Sequence, residues 1–129
     1  MIVDTSAMVA IVLREPDHEA VLATLTQPAT AAGMGTPTIA ELGVVLSARL
    51  AGDARRLVAD LLQQLEIAEV HFTEAHWRAA VEAFWRYGRG RHRAALNFGD
   101  CLSYAVAHVA GEALLFAGED FAATDLTPA

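Results

Sequence analysis

The chain has 129 residues, is 54% hydrophobic and 19% charged, and carries a net charge of −7. This length predicts a single domain over residues 1–129 with a substantial buried core. The acidic balance excludes a generic basic nucleic-acid binder. No apolar run reaches the ~18 residues that a membrane span needs, so we expect no membrane association.

The chain alternates apolar β-branched runs with helical patterns closed by Gly, Pro and capping residues. In chain order, the first half predicts a strand at 1–3, a helix over 7–13 capped by Thr5 or Ser6, a helix over 16–25, a weak strand within 27–35, and helices over 36–50, stopped by Gly52, and 54–65. The second half predicts a strand at 68–72, a helix over 74–87 capped by Thr73, a loop over 88–93, a helix over 98–110 capped by Asn97, a strand at 113–116, a turn over 118–121 and a last strand from Asp125. Strands that alternate with helices favour a parallel sheet covered on both faces.

The single cysteine and the N-terminal residues indicate the cellular compartment of the protein. Cys101 has no intramolecular partner for a disulfide, and the first residues resemble a strand rather than a signal peptide. We therefore expect a cytoplasmic protein. Cys101 lies in an apolar helical pattern, which predicts a small buried hydrophobic residue.

Three short apolar stretches each contain one charged residue, and it is always a carboxylate. These residues are Asp4, Glu41 and Asp100. A buried carboxylate stays ionised only beside a cation, a good set of donors or a metal. Asp4 ends the first predicted strand, Asp120 follows the 113–116 strand, and the other two lie in first helical turns, so all four can reach the crevice beyond the carboxyl ends of the strands.

Carboxylates and water suit Mg²⁺ or Mn²⁺. The sequence has no Cys/His set with zinc spacing, and no motif for nucleotide binding or for a serine nucleophile. Each acid also has a structural alternative. Asp4 can cap a helix, Asp100 can complement a helix dipole, Glu41 can face solvent, and Asp120 can be an ordinary turn residue.

Four segments resemble PIN-domain ribonucleases. They are MIVDTSA around Asp4, TIAEL around Glu41, NFGDCLSYA around Asp100 and LLFAGEDF around Asp120. Many members place the fourth acid two residues after a Thr, and that slot holds Gly118 here, so either Asp120 or Asp125 would substitute. Small single-domain members of this kind are mostly toxins of VapBC-type toxin–antitoxin pairs.

The resemblance implies a three-layer α/β/α sandwich around a mostly parallel sheet, and an endoribonuclease that depends on Mg²⁺ or Mn²⁺. Asp4 and Asp100 would hold the metal, while Glu41 and Asp120 would bind a second metal or orient water. A small cognate antitoxin and a homodimer are the implied protein partners, and RNA is the implied substrate. The supporting residues would be Thr5 and Ser6, as hydrogen-bond donors, and Asn97, as a phosphate ligand or a helix cap.

One short segment concentrates the positive charge of an acidic chain that has no lysine. Its arginines are Arg86, Arg89, Arg91 and Arg93. Arginine contacts with phosphates supply much of nucleic-acid affinity, so we expect this segment to bind RNA. The alternative is that these cations complement a helix C-terminus. For Trp85 and Tyr87 we expect core packing, with stacking on unpaired bases as the alternative.

Two other functions share the carboxylate pattern. One is a different acidic-site phosphodiesterase, such as a small phosphatase or a DNA nuclease. A phosphatase that forms an aspartyl phosphate would need a second Asp two residues after Asp4, where the chain has Ser6. The other is a non-catalytic interaction domain that binds a structural cation, which incubation of the metal-loaded protein with RNA would distinguish.

Overall fold

The computed structural model describes residues 1–28 and 30–129. Within these residues the strands are β1 (Ile2–Val3), β2 (Ala32–Gly35), β3 (Ile67–Val70) and β4 (Leu114–Leu115). The helices are α1 (Thr5–Leu13), α2 (His18–Leu25), α3 (Thr36–Leu50), α4 (Arg55–Gln64), α5 (Glu74–Tyr87) and α6 (Phe98–Ala110). The strands form one parallel sheet in the order β3-β2-β1-β4. No helix among the described residues is long and apolar enough to cross a membrane.

The sheet separates two hydrophobic cores, because successive strand residues point to opposite faces. Val3 and Leu115 pack with the core formed by α1 to α4. Ile2 and Leu114, their neighbours in the same strands, pack with the core formed by α5 and α6. This arrangement confirms the predicted α/β/α sandwich and its parallel sheet. Cys101 is buried in the second core, as predicted.

The start of α1 differs from the prediction. Thr5 and Ser6 are already helical, and Asp4 is the cap, with its Oδ2 accepting a hydrogen bond from the backbone N–H of Ser6 at 2.9 Å. The cap predicted at Thr5 or Ser6 is therefore one or two residues too late, whereas the structural alternative in which Asp4 caps a helix is confirmed. Strand β1 therefore passes directly into α1 through a carboxylate.

Two later boundaries also differ. Helix α3 stops at Ala51, which adopts the left-handed conformation with φ of 53°, so Gly52 is not the residue that ends it. The strand predicted from Asp125 is wrong, since the C-terminal segment pairs with β4 only through an isolated bridge between Leu114 and Pro128. The weak strand predicted within 27–35 is β2, and position 29 of that segment lies outside the described residues.

Candidate active site

A cavity of about 450 Å³ opens where β1 and β4 end. All four predicted acids line it: Asp4, Glu41, Asp100 and Asp120. Two further acids from the segment between α1 and α2, Glu15 and Asp17, extend its negative wall. Among the described residues that line the cavity, none is Arg, Lys or His. The site therefore combines dense negative charge with no protein cation to offset it.

Asp4 lies at the floor of this cavity and is only 4% exposed. Its Oδ2 accepts hydrogen bonds from the backbone and from the hydroxyl of Ser6, the latter at 2.6 Å. The Ser6 hydroxyl in turn accepts a hydrogen bond from the Ala117 N–H, just beyond β4. The two hydrogen bonds from Ser6 use the same oxygen of Asp4, Oδ2. They fix the Asp4 side chain and leave Oδ1 available to a ligand.

Asp100 is held by a reciprocal pair of hydrogen bonds at the start of α6. The Asn97 N–H donates to Asp100 Oδ2 at 2.8 Å, and the Asp100 N–H donates to Asn97 Oδ1 at 2.9 Å. Asn97 is therefore the predicted helix cap, and it also lines the cavity. Burial, together with the negative charges of the other site carboxylates, raises the pKa of Asp100 to about 6, although the Asn97 hydrogen bond opposes this rise.

Glu41 approaches the same space from α3. Burial raises the pKa of its carboxyl group, the negative charge of Asp4 adds to this, and a hydrogen bond from Thr5 opposes it. Glu41 is partly buried and lines the cavity, so the alternative in which it simply faces solvent is wrong. Withdrawal from water is the main cause of both raised pKa values, and repulsion between the site carboxylates adds to it.

The two helices that carry these acids are held together one turn away from them. Thr38 and Ser103 are each 1% exposed, and their hydroxyl oxygens are 3.3 Å apart. Thr38 precedes Glu41 by three residues on α3, and Ser103 follows Asp100 by three residues on α6. This buried polar contact therefore joins α3 and α6 one turn away from the residues that carry the two carboxylates.

The two candidates for the fourth acid lie in different places. Asp120 is exposed, follows β4 and lines the cavity. Asp125 accepts a hydrogen bond from the Tyr104 hydroxyl at 2.7 Å and lies 3.6 Å from Arg86, away from the cavity. The structure thus brings Asp120, and not Asp125, to the other three acids.

The donor set fits a hydrated divalent cation. In the described part of the chain, no three acid, His or Cys side chains converge into a ready-made ligand cage. Mg²⁺ does not need one, because it keeps several waters and is commonly bound through one or two carboxylates. Asp4 and Asp100 would supply those carboxylates, and a cation beside them would offset the burial and the repulsion that raise the pKa of Asp100.

The arginine segment divides into two parts. Arg86 donates a hydrogen bond to the Tyr87 hydroxyl at 2.9 Å and lies near two carboxylates, those of Glu82 and Asp125. The other three arginines, Arg89, Arg91 and Arg93, lie exposed in the loop that leads to Asn97 and α6. The loop, rather than Arg86, is the part of the segment with positive charge available to a ligand.

The aromatic residues of α5 also behave differently from each other. Tyr87 is 8% exposed and packs in the core with Tyr104, as predicted. Trp85 is 68% exposed, so the prediction of core packing is wrong for it. The Arg91 guanidinium lies 4.0 Å from the centroid of the Trp85 ring, and this cation–π contact covers part of an indole that the core does not reach.

Sequence reasoning missed several residues that shape the site. Glu15 and Asp17 carry no apolar context, so their carboxylates resembled ordinary surface charges. The Thr38–Ser103 contact joins positions 65 residues apart and has no local pattern. Gly99 lies against Glu41, and its position directly before Asp100 was the one available signal.

Comparison with known proteins decides the family. The PIN-domain family model matches residues 1–126. This chain is a PIN domain. Ribonuclease VapC36 of Mycobacterium tuberculosis is 46% identical over 126 residues, which is 98% of this chain and 91% of that protein. Ribonuclease VapC of Mycolicibacterium smegmatis is 40% identical over 126 residues, covering 98% and 97% of the two chains.

Solved structures share the fold of this PIN domain. Mycobacterium tuberculosis VapC20, described as a sarcin-ricin loop cleaving toxin, superposes with a TM-score of 0.78 at 21% identity, covering 99% of this chain and 97% of that one. A toxin–antitoxin complex from Klebsiella pneumoniae contains a chain with a TM-score of 0.68 at 16% identity, covering 96% and 92%. The expected resemblance to PIN domains is thereby confirmed over nearly the whole chain.

Proposed function

We propose that this PIN domain is a divalent-metal-dependent endoribonuclease, the toxin of a VapBC-type pair. The observation that carries the proposal is the convergence of Asp4, Glu41, Asp100 and Asp120 on one cavity whose described lining includes no cationic side chain. The names of the most similar relatives, which are VapC ribonucleases covered over nearly their whole length, point to RNA as the substrate.

Asp4 and Asp100 would hold Mg²⁺ or Mn²⁺, and Glu41 and Asp120 would orient water or bind a second ion. The cation would supply activation of water and neutralisation of charge on the phosphate. The chain's own residues do the positioning. Ser6 fixes the Asp4 carboxylate, and Asn97 fixes that of Asp100.

The exposed loop supplies the positive charge that an acidic active site lacks for a polyanion. Arg89, Arg91 and Arg93 lie between α5 and the helix that carries Asp100. They would contact phosphates flanking the scissile bond and so offset the repulsion between RNA and the cavity. Trp85, exposed beneath Arg91, is available to stack on an unpaired base.

A cognate antitoxin and a second copy of the chain are the proposed protein partners. An apolar groove of about 600 Å³ lies between α3 and α4, lined by Ile39, Val44, Val58 and Leu62 among others, and Val44 is 71% exposed. Exposed apolar surface of this kind marks interfaces. An antitoxin segment in this groove would start on the same helix as Glu41, and a basic side chain from it would compete with the metal for the acids.

The enzymatic part is tested with purified protein and RNA. Cleavage is expected in Mg²⁺ or Mn²⁺, with none in chelator and none from Asp4→Asn or Asp100→Asn, since the amide keeps the shape of the side chain and removes its charge. Asp60→Asn, an exposed carboxylate on α4, is the matched control and should cleave normally. Full activity in chelator, or in either site variant, would refute metal-dependent catalysis. Cleavage of single-stranded DNA without cleavage of RNA would show that the substrate is DNA.

The partner proposal is tested by size and by co-expression. The isolated chain should behave as a dimer in light scattering, and the product of an adjacent small gene should form a complex that inhibits cleavage. Val44→Asp, which places a charge in the α3–α4 groove, should weaken that complex and leave cleavage by the free chain unchanged. An inhibitory complex that tolerates Val44→Asp would exclude the groove as the antitoxin site.

A further inference from the structure

Gly99, the second residue of α6, lies directly against the carboxylate of Glu41. A Cβ atom at this position would be 2.5 Å from Glu41 Oε2, 2.7 Å from Oε1 and 2.8 Å from Cδ. Cβ atoms essentially never come within 3.0 Å of another heavy atom. The Glu41 carboxylate therefore occupies the space that any side chain at position 99 would need.

We propose that Gly99 is a positioning residue, whose missing side chain lets the Glu41 carboxylate reach from α3 across the start of α6 to Asp4 and Asp100. The inference deepens the proposed function and rests on it, since it assigns a role to a glycine in placing one of the four site acids. Gly99 itself contacts no substrate and supplies no chemical group.

The backbone does not explain the glycine. Gly99 is helical and is not among the residues with positive φ, so an L-amino acid can adopt its conformation. Alanine is the better helix former, and glycine is normally a cost in a helix. Because helix propensity opposes glycine here, the reason for Gly99 lies in the Glu41 carboxylate that packs against this side of α6.

The atoms that a new Cβ would meet decide where the cost of a substitution falls. All three nearest atoms belong to the end of the Glu41 side chain. That side chain is flexible, so it can rotate away while the helices stay in place. We therefore expect Gly99→Ala to fold normally and to displace the Glu41 carboxylate from the other acids.

The chain contains a matched control. Gly43 lies within α3, two residues after Glu41, and a Cβ there would meet nothing within 4 Å. Gly43→Ala makes the same chemical change in a helix that carries a site acid, without touching the carboxylate. Any effect of added helix propensity is common to both variants, and only Gly99→Ala should disturb the site.

The first measurement is a crystal structure of Gly99→Ala without metal. The Glu41 carboxylate should leave its position beside α6, with all of its atoms at least 3.0 Å from the new Cβ and the backbones of α3 and α6 unmoved. A carboxylate that keeps its place while α6 shifts would overturn the proposal. If the variant does not fold, Gly99→Ala in a Glu41→Ala background must fold, because the clash is absent, and failure of that double variant would also overturn the proposal.

The second measurement is a kinetic cycle between positions 99 and 41. Gly99→Ala should lower kcat for RNA about 10- to 100-fold with KM little changed, as for other residues that orient metal-site carboxylates. The same change in a Glu41→Ala background should have an effect of less than about 2-fold, since the group it displaces is already gone. Gly43→Ala should leave kcat unchanged in both backgrounds.

The structural and kinetic measurements distinguish failure of the positioning role of Gly99 from failure of the proposed ribonuclease function. If the native protein cleaves no RNA but the crystal structure shows a displaced Glu41, the positioning role stands and the proposed function fails. If the native protein cleaves RNA and Gly99→Ala does so at the full rate, the proposed function stands and Gly99 has no positioning role. Equal losses from Gly99→Ala with and without Glu41 would likewise overturn the inference.

Discussion

Asp100→Asn should make the metal-free protein more stable, although it removes a proposed catalytic residue. The pKa of Asp100 is raised to about 6 from its ordinary 3.8, chiefly by burial, so the native state disfavours the ionised carboxylate. A difference of about 2 pKa units corresponds to a ceiling of about 3 kcal/mol. Asp100 is only partly buried, and solvent screening reduces the expected gain to about 1–2 kcal/mol at about pH 8.

The sign follows from proton linkage. Between about pH 4 and about pH 6 the native state binds more protons at Asp100 than the unfolded state does, so stability falls as pH rises through this window. The variant lacks this titration, and its free energy of unfolding should depend less on pH. The two proteins should converge below about pH 4, where the carboxyl group is neutral in both states. The amide oxygen of the new side chain can still accept the Asn97 hydrogen bond, so the helix cap is kept.

The assay is urea unfolding in chelator, followed by far-UV circular dichroism and extrapolated to zero denaturant. Asp60→Asn is the control, and as an exposed substitution it should change stability by less than about 0.5 kcal/mol. Saturating Mg²⁺ should reverse the order, stabilising the native protein more than the variant. An Asp100→Asn variant that is less stable at every pH, or that keeps the native pH dependence, would refute the claim that the native state disfavours the ionised form of this carboxylate.

Two further predictions concern the loop and the fourth acid. Replacing Arg89, Arg91 and Arg93 together by Ala should weaken RNA binding. Because fewer counterions are released, the slope of log K for RNA binding against log salt concentration should also fall in magnitude by about 2. An unchanged slope would indicate that these arginines contact a protein partner instead. Asp120→Asn should slow RNA cleavage, whereas Asp125→Ala should leave the rate unchanged and cost about 1 kcal/mol of stability by removing the partner of a buried tyrosine hydroxyl. The opposite pattern of rates would make Asp125 the fourth acid.

Much of the fold could be predicted because local signals agreed with the tertiary structure. Helix α6 has the predicted bounds, since Asn97 caps it and Gly111 ends it in the left-handed conformation. The strand β1 was predicted from its apolar run, and capping by Asp4 was given only as the alternative to a role in the site. The buried carboxylate of Asp4 accepts a hydrogen bond from a backbone N–H at the start of α1 and also lines the cavity. Only the structure shows that it does both.

The remainder of the site depends on contacts between distant segments. The hydroxyl contact between Thr38 and Ser103 and the approach of Glu41 to Gly99 arise only when α3 packs on α6. The exposure of Trp85 has the same origin, because an amphipathic pattern does not say how far a neighbouring element extends over a helix face. The sequence predicted which acids matter, and tertiary packing determines how their carboxylates are oriented.

Expression in bacterial cells tests whether this PIN domain is an RNA-cleaving toxin. The chain is induced in a bacterial host beside Asp4→Asn at matched protein levels, and growth is followed together with the 5′ ends of cellular RNA. We expect the native chain to arrest growth and create new RNA ends, Asp4→Asn to do neither, and co-expression of the adjacent small gene to restore growth. Unchanged growth and unchanged RNA ends with the native chain, or identical effects of both proteins, would contradict it.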